Sequence, residues 1–66
     1  MKRRELIKRI ERMAKAGGTD MALVREGASH TIFRVGTAVF PIPRHSEINE
    51  RTAQSILKQA AEGLER

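Results

Sequence analysis

The sequence has 66 residues, of which 39% are hydrophobic, 32% are charged and none is cysteine. A chain of this length forms a single domain with a small core, and without cysteine it has neither a disulfide framework nor a thiolate metal site. Its two histidines have no acidic cluster beside them, so we expect no metal and no other cofactor. No apolar run could cross a bilayer and no signal peptide is visible, so we expect a cytoplasmic protein without membrane contact.

The net charge of +5 is concentrated at the start of the chain. Residues 1–15 contain seven basic and two acidic side chains, while the six basic and six acidic side chains of the remainder cancel. A basic segment of this kind attracts phosphate backbones or an acidic partner. A solvated helix face explains the same pattern about equally well, so charge alone does not choose between these interpretations.

The first predicted element is an amphipathic helix over residues 3–16. Its apolar residues recur at spacings of three and four, with the charges on the other side. These residues are Leu6, Ile7, Ile10, Met13 and Ala14. Gly17 and Gly18 follow them and are expected to end the helix as a C-terminal cap.

Three short strands in an antiparallel meander are predicted next. They cover residues 21–25, 30–35 and 37–40. β-branched and aromatic residues favour the middle strand, and residues 26–28 and Gly36 form the two turns. The third strand is expected to end where Pro41 and Pro43 remove backbone donors.

A connector and a second helix complete the predicted order. Residues 41–47 form an extended connector stiffened by two prolines. Asn49 is a good N-cap, and Ile48 before it can pack onto Ala53, so a helix is expected over residues 50–63. Its apolar face is Ala53, Ile56, Leu57, Ala60 and Leu64.

These elements predict an α+β domain of order αβββα, with both helices on one face of a three-stranded antiparallel sheet. The layers are similar to those of a double-stranded-RNA-binding domain. Strand alternation places Thr31, Phe33 and Val35 on the core face, so Phe33→Ala is expected to unfold the chain. His30 and Arg34 then lie on the open face. His30 is the candidate functional residue, although a lone histidine on a sheet is more often a solvated polar residue.

Four segments of the chain carry a family resemblance. They are residues 1–7 (MKRRELI), 23–33 (LVREGASHTIF), 41–48 (PIPRHSEI) and 52–60 (TAQSILKQA). Together and in this order they resemble the HicA family of toxins from bacterial toxin–antitoxin pairs. The sequence departs from the family in the long, aromatic-free segment 17–20 and in Ala28 at the turn.

The resemblance implies both a fold and an activity. The chain would be a single toxin domain over residues 1–66 with the double-stranded-RNA-binding-domain-like fold. Its activity would be that of an mRNA interferase, an endoribonuclease that arrests translation and growth under stress, with mRNA as substrate. The histidine after the glycine turn, His30, would be catalytic, and a HicB-type antitoxin protein would neutralise the toxin.

RNA carries its own nucleophile, the 2′-hydroxyl, so its cleavage needs a base, an acid and positive charge. Histidine suits the proton transfers, and Arg34 is expected to hold the phosphate. Ser29 could orient the imidazole or cap the turn, the more ordinary role. His45 could be a second acid or base, although a surface histidine is the simpler interpretation. The residues expected to bind RNA are Lys2, Arg4, Lys8, Arg12 and Arg44.

Two other classes of function stay open. Non-catalytic RNA-binding domains of this fold usually have a lysine cluster at the start of the second helix, whereas this chain has residues 49–52 (NERT) there. A protein-docking module would bind an acidic partner, which the toxin interpretation also requires. RNA cleavage that depends on His30 is the property that separates these functions. The scarcity of aromatic residues argues against strong base-specific recognition by stacking.

Overall fold

A computed structural model describes residues 1–65 as five elements around one core. They are α1 (Arg3–Ala16), β1 (Met21–Glu26), β2 (His30–Val35), β3 (Ala38–Pro43) and α2 (Glu50–Glu62). The strands form one antiparallel sheet in the order β1-β2-β3. The predicted α+β class, αβββα order and antiparallel meander are therefore confirmed. Within the described residues, no helix is both long enough and apolar enough to cross a membrane.

Both helices pack on one face of the sheet, and the core lies between the two layers. Each helix repeats apolar residues at spacings of three and four, which gives it a single stripe to bury. The buried core side chains are Leu6, Ile10 and Ala14 of α1, Val35, Phe40 and Ile42 of the sheet, and Ala53, Ile56 and Ala60 of α2, with Ile48 before α2. The other face of the sheet stays open.

The helix ends follow the signals in the sequence. Gly17 donates its backbone N–H to the carbonyl oxygens of Met13 and Ala14, at 3.0 and 3.1 Å, and so closes α1. At the start of α2, Asn49 Oδ1 accepts a hydrogen bond from the backbone N–H of Arg51 at 2.8 Å. This bond satisfies one of the donors that the first helical turn leaves free.

The third strand is longer than the sequence predicts, because both prolines belong to it. β3 extends to Pro43, and the connector begins only after that residue. The backbone N–H of Arg44 donates to the Ser29 carbonyl at 3.1 Å. By the alternation of an antiparallel ladder, Pro41 and Pro43 then occupy positions whose nitrogens point away from β2. The prediction that the prolines end the strand is wrong, because an edge strand loses no ladder bond at such positions.

The predicted faces of β2 are present, but the enclosed aromatic side chain comes from β3. Thr31 and Val35 are buried, whereas His30 is exposed. Phe33 lies half-buried at the margin of the core, while Phe40 is fully enclosed. Loss of the Phe33 ring would therefore leave a smaller cavity in the core than the sequence-based prediction for Phe33→Ala assumes.

The turn between β2 and β3 packs closely against the end of α2. Gly36 has a φ of +59°, which favours glycine. A Cβ at this residue would overlap the carbonyl oxygen of Gly63, which accepts a hydrogen bond from the backbone N–H of Thr37 at 3.1 Å. The contact fixes α2 to the hairpin and sets the position of the helix along β3.

The start of the chain is bound to the segment before α2. The Met1 amino group lies 3.0 Å from a carboxylate oxygen of Glu47, and Lys2 Nζ lies 3.3 Å from the other. Hydrogen bonding from the Met1 ammonium group lowers the pKa of the Glu47 carboxyl. The same hydrogen bond raises the pKa of the amino group.

We expect Glu47→Gln to lower the free energy of unfolding only where this pair is charged. A carboxylate whose pKa is lowered by folding contributes stability above its ordinary pKa, and that stability is lost as pH falls through the lowered value. An amino group whose pKa is raised contributes stability below its ordinary pKa, and that stability is lost as pH rises through the raised value. Urea denaturation between about pH 3 and pH 10 should show the variant and the parent converging at both extremes. Glu62→Gln in α2 is the control, and a pH-independent difference for Glu47→Gln would contradict the prediction.

Candidate functional site

The turn before β2 is held at both ends by hydrogen bonds. Gly27 donates its N–H to the His30 carbonyl at 2.7 Å, and a Cβ on Gly27 would lie only 2.7 Å from that oxygen. From the other side, Arg44 donates its backbone N–H to the Ser29 carbonyl at 3.1 Å and its Nη1 to the Gly27 carbonyl at 3.0 Å. His30 therefore begins β2 from a turn that its neighbours hold in one position.

The imidazole of His30 is exposed, and one of its nitrogens has a partner. Ser29 Oγ lies 3.2 Å from His30 Nδ1. In the tautomer that carries its proton on Nδ1, the ring donates to Ser29 and Nε2 keeps a lone pair that can accept a proton. Ser29 thus makes the contact that the orienting role requires.

Two shallow depressions meet at His30. One, of ≈ 280 Å³, lies on the open face of the sheet, and the other, of ≈ 350 Å³, lies between the edge of β3 and α2. His30 and Pro41 line both depressions and form the ridge between them. The first is also lined by Arg25, Gly27, Ala28, Ser29 and Ile32, and the second by Pro43, Arg51, Thr52, Ser55, Ile56 and Gln59. An arginine therefore lies on each side of the imidazole.

Two of the predicted supporting residues lie away from these depressions. Arg34 shares the open face with His30 but is four residues further along β2, which corresponds to about 13 Å of strand. His45 is exposed in the bend after β3. Neither residue lines a depression that His30 lines. The structure therefore does not bring Arg34 or His45 together with the imidazole.

Arg25 and Arg51 are the cationic residues that sequence reasoning missed. In a regular strand Arg25 would share a face with Leu23, which pairs with Phe33 on the core side of β2. The register shifts between Leu23 and Arg25, so Arg25 instead pairs with Ile32 on the open face. No residue pattern in β1 signals this bulge. Arg51 reaches the site only because α2 packs against β3.

The predicted RNA-binding residues fall into two separate groups. Lys2, Arg4 and Arg44 surround one depression, together with Arg3 and Ser46, and Arg44 contacts the turn beside His30. By contrast, Lys8 and Arg12 line a depression that also includes Met21. Met21 pairs with Val35, at the end of β2 opposite His30. The first group therefore lies at the His30 end of the sheet and the second at the far end.

Arg3 joins α1 to the sheet below the site. Its Nε donates to the Pro43 carbonyl at 2.9 Å and its Nη2 donates to Thr31 Oγ1 at 3.0 Å. The Thr31 hydroxyl in turn donates to Glu26 at 2.9 Å. This basic residue has a structural role, because its guanidinium binds β2 and β3 directly, and the Thr31 hydroxyl extends the chain of hydrogen bonds to β1.

The described residues contain no candidate metal centre. Among residues 1–65, no three His, Asp or Glu side chains come together as a group that could hold a metal ion. A comparison of the chain with protein-family models, curated proteins and solved structures found no match.

Proposed function

We propose that this chain is a HicA-like toxin with a double-stranded-RNA-binding-domain-like fold, a metal-independent endoribonuclease that cuts mRNA through His30. The proposal rests on the groups that lie around this imidazole. Nδ1 is held by Ser29 at 3.2 Å, and the ring stands between two depressions that each contain an arginine. A phosphodiester laid across the ridge would therefore meet a proton acceptor and positive charge together.

In the proposed reaction the RNA supplies its own nucleophile, and His30 transfers the protons. His30 Nε2 removes the proton from a 2′-hydroxyl, and the 2′-oxygen attacks the adjacent phosphorus. The bond between phosphorus and the 5′-oxygen breaks, and the leaving oxygen takes a proton from the imidazolium or from water. The products are a 2′,3′-cyclic phosphate and a 5′-hydroxyl end. Arg25 and Arg51, which line the two depressions, would oppose the charge that develops on the phosphate in place of Arg34.

The biological role is proposed from the sequence resemblance. A toxin that cuts mRNA would act in the cytoplasm, and a HicB-type antitoxin would neutralise it by protein contact. The basic face of α1 and the exposed arginines favour an acidic surface on that antitoxin. No cofactor is required in this proposal.

A protein-docking role is the second candidate function, and the exposed apolar side chains of the sheet favour it. Leu23 and Val39 are each 56% exposed, and Val24 is 47% exposed. Leu23 and Val24 are neighbours in β1, and contiguous exposed apolar surface marks protein-interaction sites. Val39 pairs with Arg34 on the same open face as His30, so an activity measurement is needed to separate docking from cleavage.

The direct test is incubation of the purified chain with single-stranded RNA in EDTA. Cleavage that leaves 2′,3′-cyclic phosphate ends supports the proposal. The matched control substrate carries one 2′-deoxynucleotide at the cut position, which removes the nucleophile and should block cleavage there alone. If a folded chain leaves RNA intact, or cuts the deoxy-substituted position equally well, the proposed chemistry is wrong.

We expect Lys8→Ala combined with Arg12→Ala to weaken RNA binding without changing kcat. Both residues are exposed at the end of the sheet opposite His30, so they would contact distant phosphates and not the reacting one. Loss of two phosphate contacts should reduce the slope of log Kd against log salt by about 1.4 for single-stranded RNA. Fluorescence anisotropy across a salt series measures this slope.

The pair Lys2→Ala and Arg4→Ala is the comparison for that experiment, because these residues lie at the His30 end. Its expected effect on RNA affinity is at least as large. An unchanged salt slope for the Lys8 and Arg12 variant would mean that RNA does not contact the far end of α1.

A further inference from the structure

We infer that the depression between the edge of β3 and α2, here called the α2 groove, binds one unpaired nucleobase next to the cut phosphate. The inference rests on the proposed ribonuclease activity and adds a specificity site to it. The groove is lined by Pro43, Arg51, Thr52, Ser55, Ile56 and Gln59, with His30 and Pro41 at its border.

The groove owes its shape to the two prolines and to the packing of α2. Pro41 and Pro43 are partners of Ile32 and His30 in the ladder, so their rings lie on the same side of the sheet as the imidazole. Neither ring offers a backbone donor at the strand edge. Ile56, which is only 3% exposed, completes the apolar surface from the helix side. The result is a stiff apolar wall beside the candidate catalytic residue.

The polar rim of the groove comes from one side of α2. Thr52, Ser55 and Gln59 are spaced by three and four residues, so they lie along a single line of the helix. Thr52 and Ser55 are exposed and Gln59 is half-buried. Within residues 1–65 none of these three side chains makes a side-chain hydrogen bond, unlike Gln54, whose Nε2 donates to Glu50. Their hydrogen-bonding capacity is available to a ligand.

A nucleobase matches this combination of surfaces. Its faces are flat and weakly polar, and its edge carries donors and acceptors that single-stranded RNA leaves unpaired. Two hydroxyl groups and an amide supply both donors and acceptors to that edge. In the described part of the chain no acidic side chain lines the groove, and Arg51 can meet the phosphate that accompanies the base. The recognition depends on hydrogen bonds and proline contact, and so it does not need the aromatic residues that the chain lacks.

The position of the groove also selects the form of the substrate. His30 lines the groove, so a base within it must be next to the phosphate that the imidazole reaches. In a duplex that base is paired and stacked, and turning it out costs free energy. Single-stranded RNA is therefore the substrate class that this site accepts.

The test compares Gln59→Ala with Gln54→Ala, which makes the same change on the same helix outside the groove. Each protein is incubated with a single-stranded RNA library that is randomised around the cut, and the ends are sequenced. The parent should prefer particular bases at one nucleotide flanking the cut. Gln59→Ala should reduce that preference by about tenfold, the ratio expected for one lost hydrogen bond at the upper end of its range. Gln54→Ala should retain the preference.

A binding measurement separates failure of the groove from failure of the nuclease. The ¹⁵N-labelled parent is titrated with a 2′-O-methyl oligonucleotide, which cannot be cut, and the side-chain amide resonances of Gln54 and Gln59 are followed. A shift confined to Gln59 supports the groove. Cleavage with equal base preference in both variants, or with no Gln59 shift, overturns the groove and leaves the nuclease. A Gln59 shift without cleavage overturns the nuclease alone, and absence of both overturns both.

Discussion

Replacing His30 with alanine is expected to lower the rate of RNA cleavage by about 10²- to 10⁴-fold, the usual contribution of a general acid or base. The imidazole stands at the ridge between the two depressions, and within residues 1–65 no other histidine lines either of them. RNA affinity should change little, because the surrounding arginines remain. The side chain is exposed, so the free energy of unfolding should stay within about 0.5 kcal/mol of the parent.

The measurement is cleavage in EDTA by matched amounts of parent, His30→Ala and His45→Ala, with growth after induction in cells as a second readout. His45→Ala is the matched control, since it removes the other imidazole from an exposed bend. Parent and His45→Ala should cut RNA and arrest growth, and His30→Ala should do neither. Equal cleavage by parent and His30→Ala would show that the site is elsewhere. Equal loss in both variants would place His45 in the reaction.

Ser29 gives a finer test of the same site. Its Oγ is 3.2 Å from His30 Nδ1, so Ser29→Ala removes a contact that orients the ring. A positioning residue of this kind should alter the pH profile of kcat, whereas a residue that only caps the turn should alter stability and leave the profile unchanged.

The elements of this fold were predictable because their signals are local. Apolar residues at spacings of three and four define α1 and α2, and Gly17 and Asn49 stand at the helix ends where their backbone or side chain makes capping bonds. The length of β3 was not predictable in the same way. Whether a proline interrupts a strand depends on which side of the ladder its nitrogen faces, and that depends on the register with β2.

In the candidate site too, residues that are neighbours in the chain were predictable, and residues brought together by strand register or helix packing were not. His30 and Ser29 are neighbours in the chain, so the sequence alone places them together. Arg25 reaches the open face only because the register of β1 shifts between Leu23 and Arg25. A strict alternation of side chains does not predict that shift. Arg51 and Gln59 belong to α2, which comes later in the sequence. They line a depression with His30 only because α2 packs against β3. Sequence reasoning therefore placed the candidate proton-transfer group beside Ser29, whereas it chose Arg34, which does not line the depressions that His30 lines, as the residue that holds the phosphate.

Replacing Phe40 with alanine is expected to cost about 3–5 kcal/mol of folding free energy, the range for a fully enclosed aromatic side chain. Phe40 is the largest of the fully buried side chains of the described residues, and it belongs to the core cluster that includes the apolar side chains of both helices. A domain of this size has a total stability of only about 3–10 kcal/mol. The variant should therefore be largely unfolded at 25 °C or melt far below the parent.

Phe33→Ala is the matched comparison, because it removes the same ring from the paired position on β2. Phe33 is half-buried at the margin of the core, so its loss leaves less cavity and exposes less apolar surface, and we expect a cost of about 1–2 kcal/mol. Urea denaturation followed by circular dichroism gives both values. Equal losses would mean that the two rings share the core, as the strand pattern of β2 alone suggests. A larger loss for Phe33→Ala would contradict the packing of β3 against α2, and the α2 groove depends on that packing.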